Sequence, residues 1–144
     1  MDYKFDLDTT IARIKDNEGF RTKVYKDTLG NETIGYGFTI RDLRLSEPVS
    51  AIILQIIVGY LSLRIYDTFP WFRDMPAPVK SVIIEMCYQM GMKNFMMFKK
   101  TIRYLKGHKF FLAAQEMLDS HWARFQSPER AKRLSDIVAG CENG

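Results

Sequence analysis

Glu18, Asp27 and Thr33 all fall inside the run EGFRTKVYKDTLGNETIGYG, which begins at Glu18. Asp27 follows Glu18 by nine residues and Thr33 follows Asp27 by six. Two carboxyl groups in different surroundings are the minimum set for general acid/base cleavage of a glycosidic bond, one giving a proton and one handling water. The same residues also fit a solvated glutamate at a helix end and a polar aspartate on a hairpin, so the elements that position them matter.

Asp8 or Thr9 can cap a short helix that runs to Asn17 or Glu18, and Gly19 stops it. Ile11 and Ile14 mark its expected buried face, and Glu18, seven residues after Ile11, falls near that face. A carboxylate among apolar neighbours loses hydration and keeps its proton longer. Val24–Thr28 and Thr33–Phe38 then read as two strands joined by a turn at Leu29–Glu32, a hairpin that brings Asp27 and Thr33 near each other. Gly35 and Gly37 weaken the second strand and mark close approach by backbone or ligand.

The rest reads as helical. A long segment begins at Ser46-Glu47-Pro48 and ends before Pro70. Val49, Ile52, Ile53, Ile56, Ile57, Tyr60 and Leu61 recur at helical steps as its expected buried or partner-facing stripe, and Leu54 and Val58 widen it. The uncharged stretch 48–63 is shorter than the roughly 20 residues a bilayer span needs, so membrane contact is not expected, while an oligomer contact through this helix is open. Further helices follow from Pro76 or Pro78 to Gln89 with Gly91 as stop, near Asn94–Leu105, from Phe110 past Leu118, and from Pro128 to Ala139. The methionines at 86, 90, 92, 96 and 97 read as core filler.

At 144 residues the chain suits one domain, 1–144, with two lobes: a hairpin lobe at about 20–45, and a helical lobe at about 46–144 that includes the N-terminal helix. Its 47% hydrophobic and 26% charged residues exclude a disordered chain. A net charge of +4 and a pI of about 9.1 favour anionic partners, with no dense basic run to single out nucleic acid. Cys87 and Cys141, far apart and outside any CxxC motif, argue against a disulfide or metal site and suit a reducing compartment. The start MDYKFDLDTT lacks the features of a classical export signal. His108 and His121 stand apart from acids and cysteines, and no nucleophile elbow, Walker loop or dinucleotide fingerprint is present.

The Glu-Gly pair, the Tyr-x-Asp-x-x-Gly segment and the Thr-Ile-Gly-x-Gly strand closely resemble, in order and spacing, the N-terminal signature of the T4-type phage lysozymes, the family 24 glycoside hydrolases. Tyr88-Gln89-Met90-Gly91, Phe98, Ser120-His121-Trp122 and Gln126-Ser127-Pro128-Glu129-Arg130-Ala131 resemble the same family, so the likeness covers about residues 11–40 and 79–140. It implies an α+β, mostly helical, lysozyme-like fold: a small N-terminal hairpin lobe, a helical C-terminal lobe and an active cleft between them. It also implies an inverting muramidase that hydrolyses the β-1,4 bond between N-acetylmuramic acid and N-acetylglucosamine in peptidoglycan, with no metal or organic cofactor.

By that resemblance Glu18 is the general acid, Asp27 places and deprotonates the attacking water, and Thr33 holds it. Arg130 matches an arginine that approaches the catalytic glutamate, where a cation would counter the desolvation of Glu18. Thr39, Tyr88, Gln89, Thr101 and Glu116 match substrate-contact positions, for each of which packing or solvation is an equal alternative. Trp122 reads as a core residue beneath the cleft. Departures are Phe38 where relatives carry His, a shorter and oilier 38–88 region, and one extra residue between Trp122 and Gln126. The expected biology is an endolysin made in the host cytoplasm, released by a separate holin-like pore and acting on the wall or periplasm. The alternatives are a lytic transglycosylase, a non-catalytic wall-binding module on the same scaffold, and an oligomeric structural protein.

Overall fold

A computed structural model describes residues 5–142 of the chain. It divides into two compact units, residues 1–50 and 51–144. The fold is α+β and mostly helical, with its one small antiparallel sheet near the N-terminus, as the sequence suggests.

The first unit opens with α1, Leu7–Glu18. Its cap is Asp6, not Asp8 or Thr9: Asp6 Oδ1 accepts from the Thr9 backbone N–H at 3.1 Å, and Asp6 Oδ2 accepts from the Thr9 hydroxyl at 2.7 Å. A side-chain oxygen here satisfies an amide that the first helical turn leaves unpaired. Gly19 ends the helix, its N–H bonded to the Lys15 carbonyl at 3.0 Å. The expected buried face is absent. Ile11 and Ile14 are 40% and 48% exposed, and α1 buries no residue. The helix falls with the sheet in this division, whereas the sequence groups it with the helical lobe.

The sheet has three strands rather than two: β1 (Arg21–Lys26), β2 (Glu32–Gly35) and β3 (Phe38–Thr39), paired antiparallel in that order. Tyr25 pairs with Thr33 and Lys26 with Glu32, with an irregularity between Arg21 and Tyr25. The expected strand over Thr33–Phe38 is broken at Tyr36–Gly37, where the chain turns back and sets Thr39 opposite Thr33. Gly35 and Gly37 are what make that turn possible, since both hold left-handed backbone conformations.

α2 (Glu47–Thr68) runs through the division between the units. In the second unit its buried residues are Leu61 and Ile65, so the core-facing stripe is not the isoleucine stripe expected from periodicity. A 3-10 turn over Pro70–Asp74 follows, then α3 (Ala77–Met90), which Gly91 ends. The single helix expected near 94–105 is two, α4 (Met92–Met96) and α5 (Lys99–Lys106), broken at Met97–Phe98. α6 (Phe110–Leu118) and α7 (Pro128–Ala139) fall where the sequence puts them.

Between α6 and α7 lies a single π turn, Trp122–Gln126, closed by the Ser127 N–H on the Trp122 carbonyl at 2.8 Å. A π turn takes up one residue more than an α turn.

The core of the second unit includes Phe72, Val79, Ile83, Met86, Phe95 and Leu105. Trp122 belongs to it, as expected, edge-on to Phe98 at 6.0 Å. Met86 is core and Met90 and Met92 pack against it, but Met96 and Met97 are exposed and are not core filler. Cys87 and Cys141 are free thiols, and burial pushes the Cys87 thiol up to about 12.

Candidate active site

The turn between β2 and β3 receives the end of α1. The ring of Tyr36 lies 5.2 Å from Phe20, and the Lys15 ammonium sits 5.3 Å from its centroid. These contacts set the next residue, Gly37, against Glu18. A β-carbon built on Gly37 would stand 2.5 Å from Glu18 Oε2 and 2.9 Å from its Cδ. The carboxyl group therefore rests on bare backbone in a space that only glycine leaves open. Gly35 serves a different neighbour, the Phe38 ring, 2.8 Å from where its β-carbon would be. Glu18 itself is exposed, so the apolar surroundings expected for it are not present.

Asp27 stands at the end of β1 and closes the loop that follows. Its Oδ1 accepts from the backbone N–H of Leu29 at 2.9 Å and of Asn31 at 2.8 Å, and its Oδ2 accepts from Asn31 Nδ2 at 3.2 Å. The Asp27 N–H in turn donates to the Asn31 carbonyl at 2.9 Å. The Asn31 amide first, and the other donors with it, hold the Asp27 carboxyl below its ordinary value. Hydrogen bonds to the charged form favour it, so Asp27 is ionised at neutral pH.

Thr33, 3% exposed, is a central-strand residue flanked by Tyr25 and Thr39. Its hydroxyl donates to the Asn31 carbonyl at 3.1 Å, which leaves both oxygen lone pairs as acceptors. Side chains alternate along a strand, so Asp27, two residues beyond Tyr25, belongs to the face carrying Thr33 and Thr39. Asn31 thus ties the Asp27 carboxylate and the Thr33 hydroxyl into one network. Spacing alone does not single it out. The signal is the Asp-x-x-Gly-Asn run from Asp27, an aspartate bonding back to amides two and four residues ahead.

The remaining expected residues lie in the second unit. Thr101, buried, and Glu116 line one depression of about 620 Å³, together with Lys99, Lys100, Ser120 and Gln126. Tyr88 and Arg130 line another of about 360 Å³, with Leu54, Val58, Ile84 and Glu85. Gln89 is in neither. Both ends of its amide are used inside the unit: Nε2 donates to Ser127 Oγ at 2.6 Å, and Oε1 accepts from Trp122 Nε1 at 3.0 Å. That is a brace between α3 and the π turn. The ion-pair partner of Arg130 is Glu85, Nε to Oε1 2.9 Å, an acid that periodicity hides because it sits on a helix face of ordinary composition.

Among the described residues no group of three or more His, Cys, Asp or Glu stands close enough to hold a metal ion.

The family description "Phage lysozyme" matches residues 15–133, a span that includes Glu18, Asp27, Thr33 and Arg130. Two similar proteins come from Dictyostelium discoideum. "Probable T4-type lysozyme 1" is 28% identical, over 89% of this chain and 94% of its own length. "Probable T4-type lysozyme 2" is 26% identical, over 86% and 89%. A family match across most of the chain, in addition to the carboxylate-and-hydroxyl arrangement of the first unit, shows that this chain belongs to the phage lysozyme family and that its function is of the lysozyme type.

Proposed function

We propose that this chain hydrolyses the β-1,4 bond between N-acetylmuramic acid and N-acetylglucosamine in peptidoglycan, with inversion, using Glu18 as general acid and Asp27 with Thr33 to hold the attacking water. The observation that carries this reading is the Asn31 network. An ionised carboxylate has about four lone-pair positions. Three on Asp27 are occupied, two on Oδ1 and one on Oδ2, leaving an acceptor position on Oδ2. The Thr33 hydroxyl has spent its proton on Asn31. A water between them gives one proton to each acceptor and keeps its own lone pair for the sugar carbon.

The three donors that keep Asp27 ionised also make it a weak base. Its part is to orient the water and to take its proton late, once the anomeric carbon has built up positive charge. Glu18, at the end of α1, is the group that gives its proton to the leaving oxygen. Inverting enzymes need room for water between sugar and base, which a base held back in a loop provides.

The biological role that fits is that of an endolysin made in the host cytoplasm, let out by a separate holin-like pore and acting on the wall. The test is clearing of purified, lipid-free wall, with analysis of the ends produced. Glu18→Gln is expected to lose a factor of roughly 10² to 10⁴ while melting like the wild type. Products with new reducing ends support hydrolysis. Full clearing by Glu18→Gln, or products that are all anhydro sugars, overturns the reading.

A further inference from the structure

α2 carries two apolar stripes where a core helix needs one. Leu54, Val58, Leu61 and Ile65, at steps of four, three and four, face the interior of the second unit or its smaller depression. Ile52, Ile53, Ile56, Ile57, Tyr60 and Leu63 form the other, and every one of them is exposed, Ile52 by 58% and Tyr60 by 69%. The helix is 22 residues long, about the length read from sequence, and its most apolar 18-residue window has a mean hydropathy of 1.8. By length and composition it could cross a membrane. The C-terminal half of its inner stripe, Leu61 and Ile65, is buried in the unit's own core, however, so crossing would uncover both.

From this we infer that the outer stripe of α2 seats on an anionic lipid surface, with the helix lying in the plane of the membrane. Three observations favour lipid over a second protein chain. No charge occurs from Pro48 to Leu63, about 24 Å of helix. Helix pairs set register and orientation with charges flanking the apolar seam, and this seam has Ala51, Gln55, Gly59 and Ser62 beside it instead. Lipid makes no such demand. Tyr60 and then Arg64 follow on the outer side, an aromatic ring and a cation of the kind that anchors at headgroup level. The charge is also in the right unit. Residues 51–144 hold 13 Lys and Arg against 8 Asp and Glu, a net +5, whereas residues 1–50 hold 8 against 9. A basic body behind an apolar stripe is complementary to a negative membrane surface.

The experiment is co-sedimentation of the full chain with vesicles of phosphatidylethanolamine and phosphatidylglycerol, set beside vesicles of phosphatidylcholine alone. The variant is Ile52→Asp combined with Ile56→Asp, both outward-facing and so compatible with the fold. The wild type is expected to sediment with the anionic vesicles, more weakly with the neutral ones, and the variant to lose at least about tenfold in binding. Both should clear lipid-free wall equally, which separates this proposal from the hydrolytic reading. A wild type left in the supernatant, equal binding by the variant, or equal binding to both lipids overturns it. So does a dimer seen by light scattering that the variant abolishes without any vesicle binding, since the stripe would then serve a second copy.

Discussion

Replacing Gly37 by alanine tests the placement of Glu18 more sharply than removing the carboxylate. The new methyl carbon would lie 2.5 Å from Glu18 Oε2, where ordinary contact begins near 3.4 Å, so the carboxyl group must retreat by about 0.9 Å. The group that moves is the free end of a flexible side chain, and its retreat adds little to the energy of folding. What folding does lose is the strain of an L-residue at φ +76, roughly 1–2 kcal/mol. Gly91 supplies the control. It has φ +84 with nothing within 4 Å of where a β-carbon would stand, so Gly91→Ala also puts an L-residue at positive φ but meets no clash. Both variants should lower Tm by roughly 3–8 °C. Only Gly37→Ala should lose activity beyond that, by roughly 100-fold, because a displacement of about 1 Å at a reacting group has that effect. The assay is initial clearing rate on purified wall at saturating substrate, with melting curves on the same samples. If Gly37→Ala is folded and clears wall within about threefold of Gly91→Ala, the reasoning that Glu18 must rest on Gly37 is refuted.

Thr33→Val keeps the strand and removes the hydroxyl. The Asn31 carbonyl retains the Asp27 N–H as a donor, so stability should change by no more than about 1 kcal/mol while kcat falls by roughly 10- to 100-fold and Thr33→Ser restores it; loss with the serine variant too would exclude a role for the oxygen. The depressed carboxyl of Asp27 stabilises the folded loop above the unfolded value near 3.9, and that contribution is lost as pH falls below about 4 through the folded value. Protection of the Leu29 and Asn31 amides, taken relative to the intrinsic exchange rate at each pH, should therefore fall between pH 5 and about pH 3 in the wild type, and Asp27→Asn should flatten that response; an unchanged slope in the variant would place the proton elsewhere. Gln89→Leu leaves the buried Trp122 N–H without its acceptor, for a loss of about 1–3 kcal/mol read as a lower Tm; a raised KM at unchanged Tm would make Gln89 a substrate contact instead of a brace.

The sequence shows its chemistry where the chain closes on itself over short distances. Asp27 and Thr33 are six residues apart and share a turn, so a hairpin reading already brings them together. α3, α6 and α7 are legible because Pro and Gly punctuate them. Ile11 and Ile14 mislead for the opposite reason. Helical spacing reports that a stripe exists, not that anything covers it, and among the described residues of the first unit only Thr33 and Gly35 are buried. The same ambiguity inverts α2: both of its stripes have helical periodicity, and only the packing of Leu61 and Ile65 tells inner from outer. Arg130 and Glu85 are 45 residues apart, a pairing no local pattern reveals.

That contrast bears on how the site is held. The second unit has a continuous core from Leu61 to Val138, whereas the first positions its functional groups with almost no buried apolar surface. Asp27 is fixed by amides of its own loop, Thr33 by its place between two strands, and Glu18 by a helix end set on the Tyr36–Gly37 turn. Each link is a single hydrogen bond or ring contact at the surface, so breaking one changes global stability little. Each also fixes one of the proposed catalytic groups directly, so breaking it moves that group. Substitutions in residues 18–39 should therefore separate activity from stability, whereas core substitutions in the second unit should lower both together.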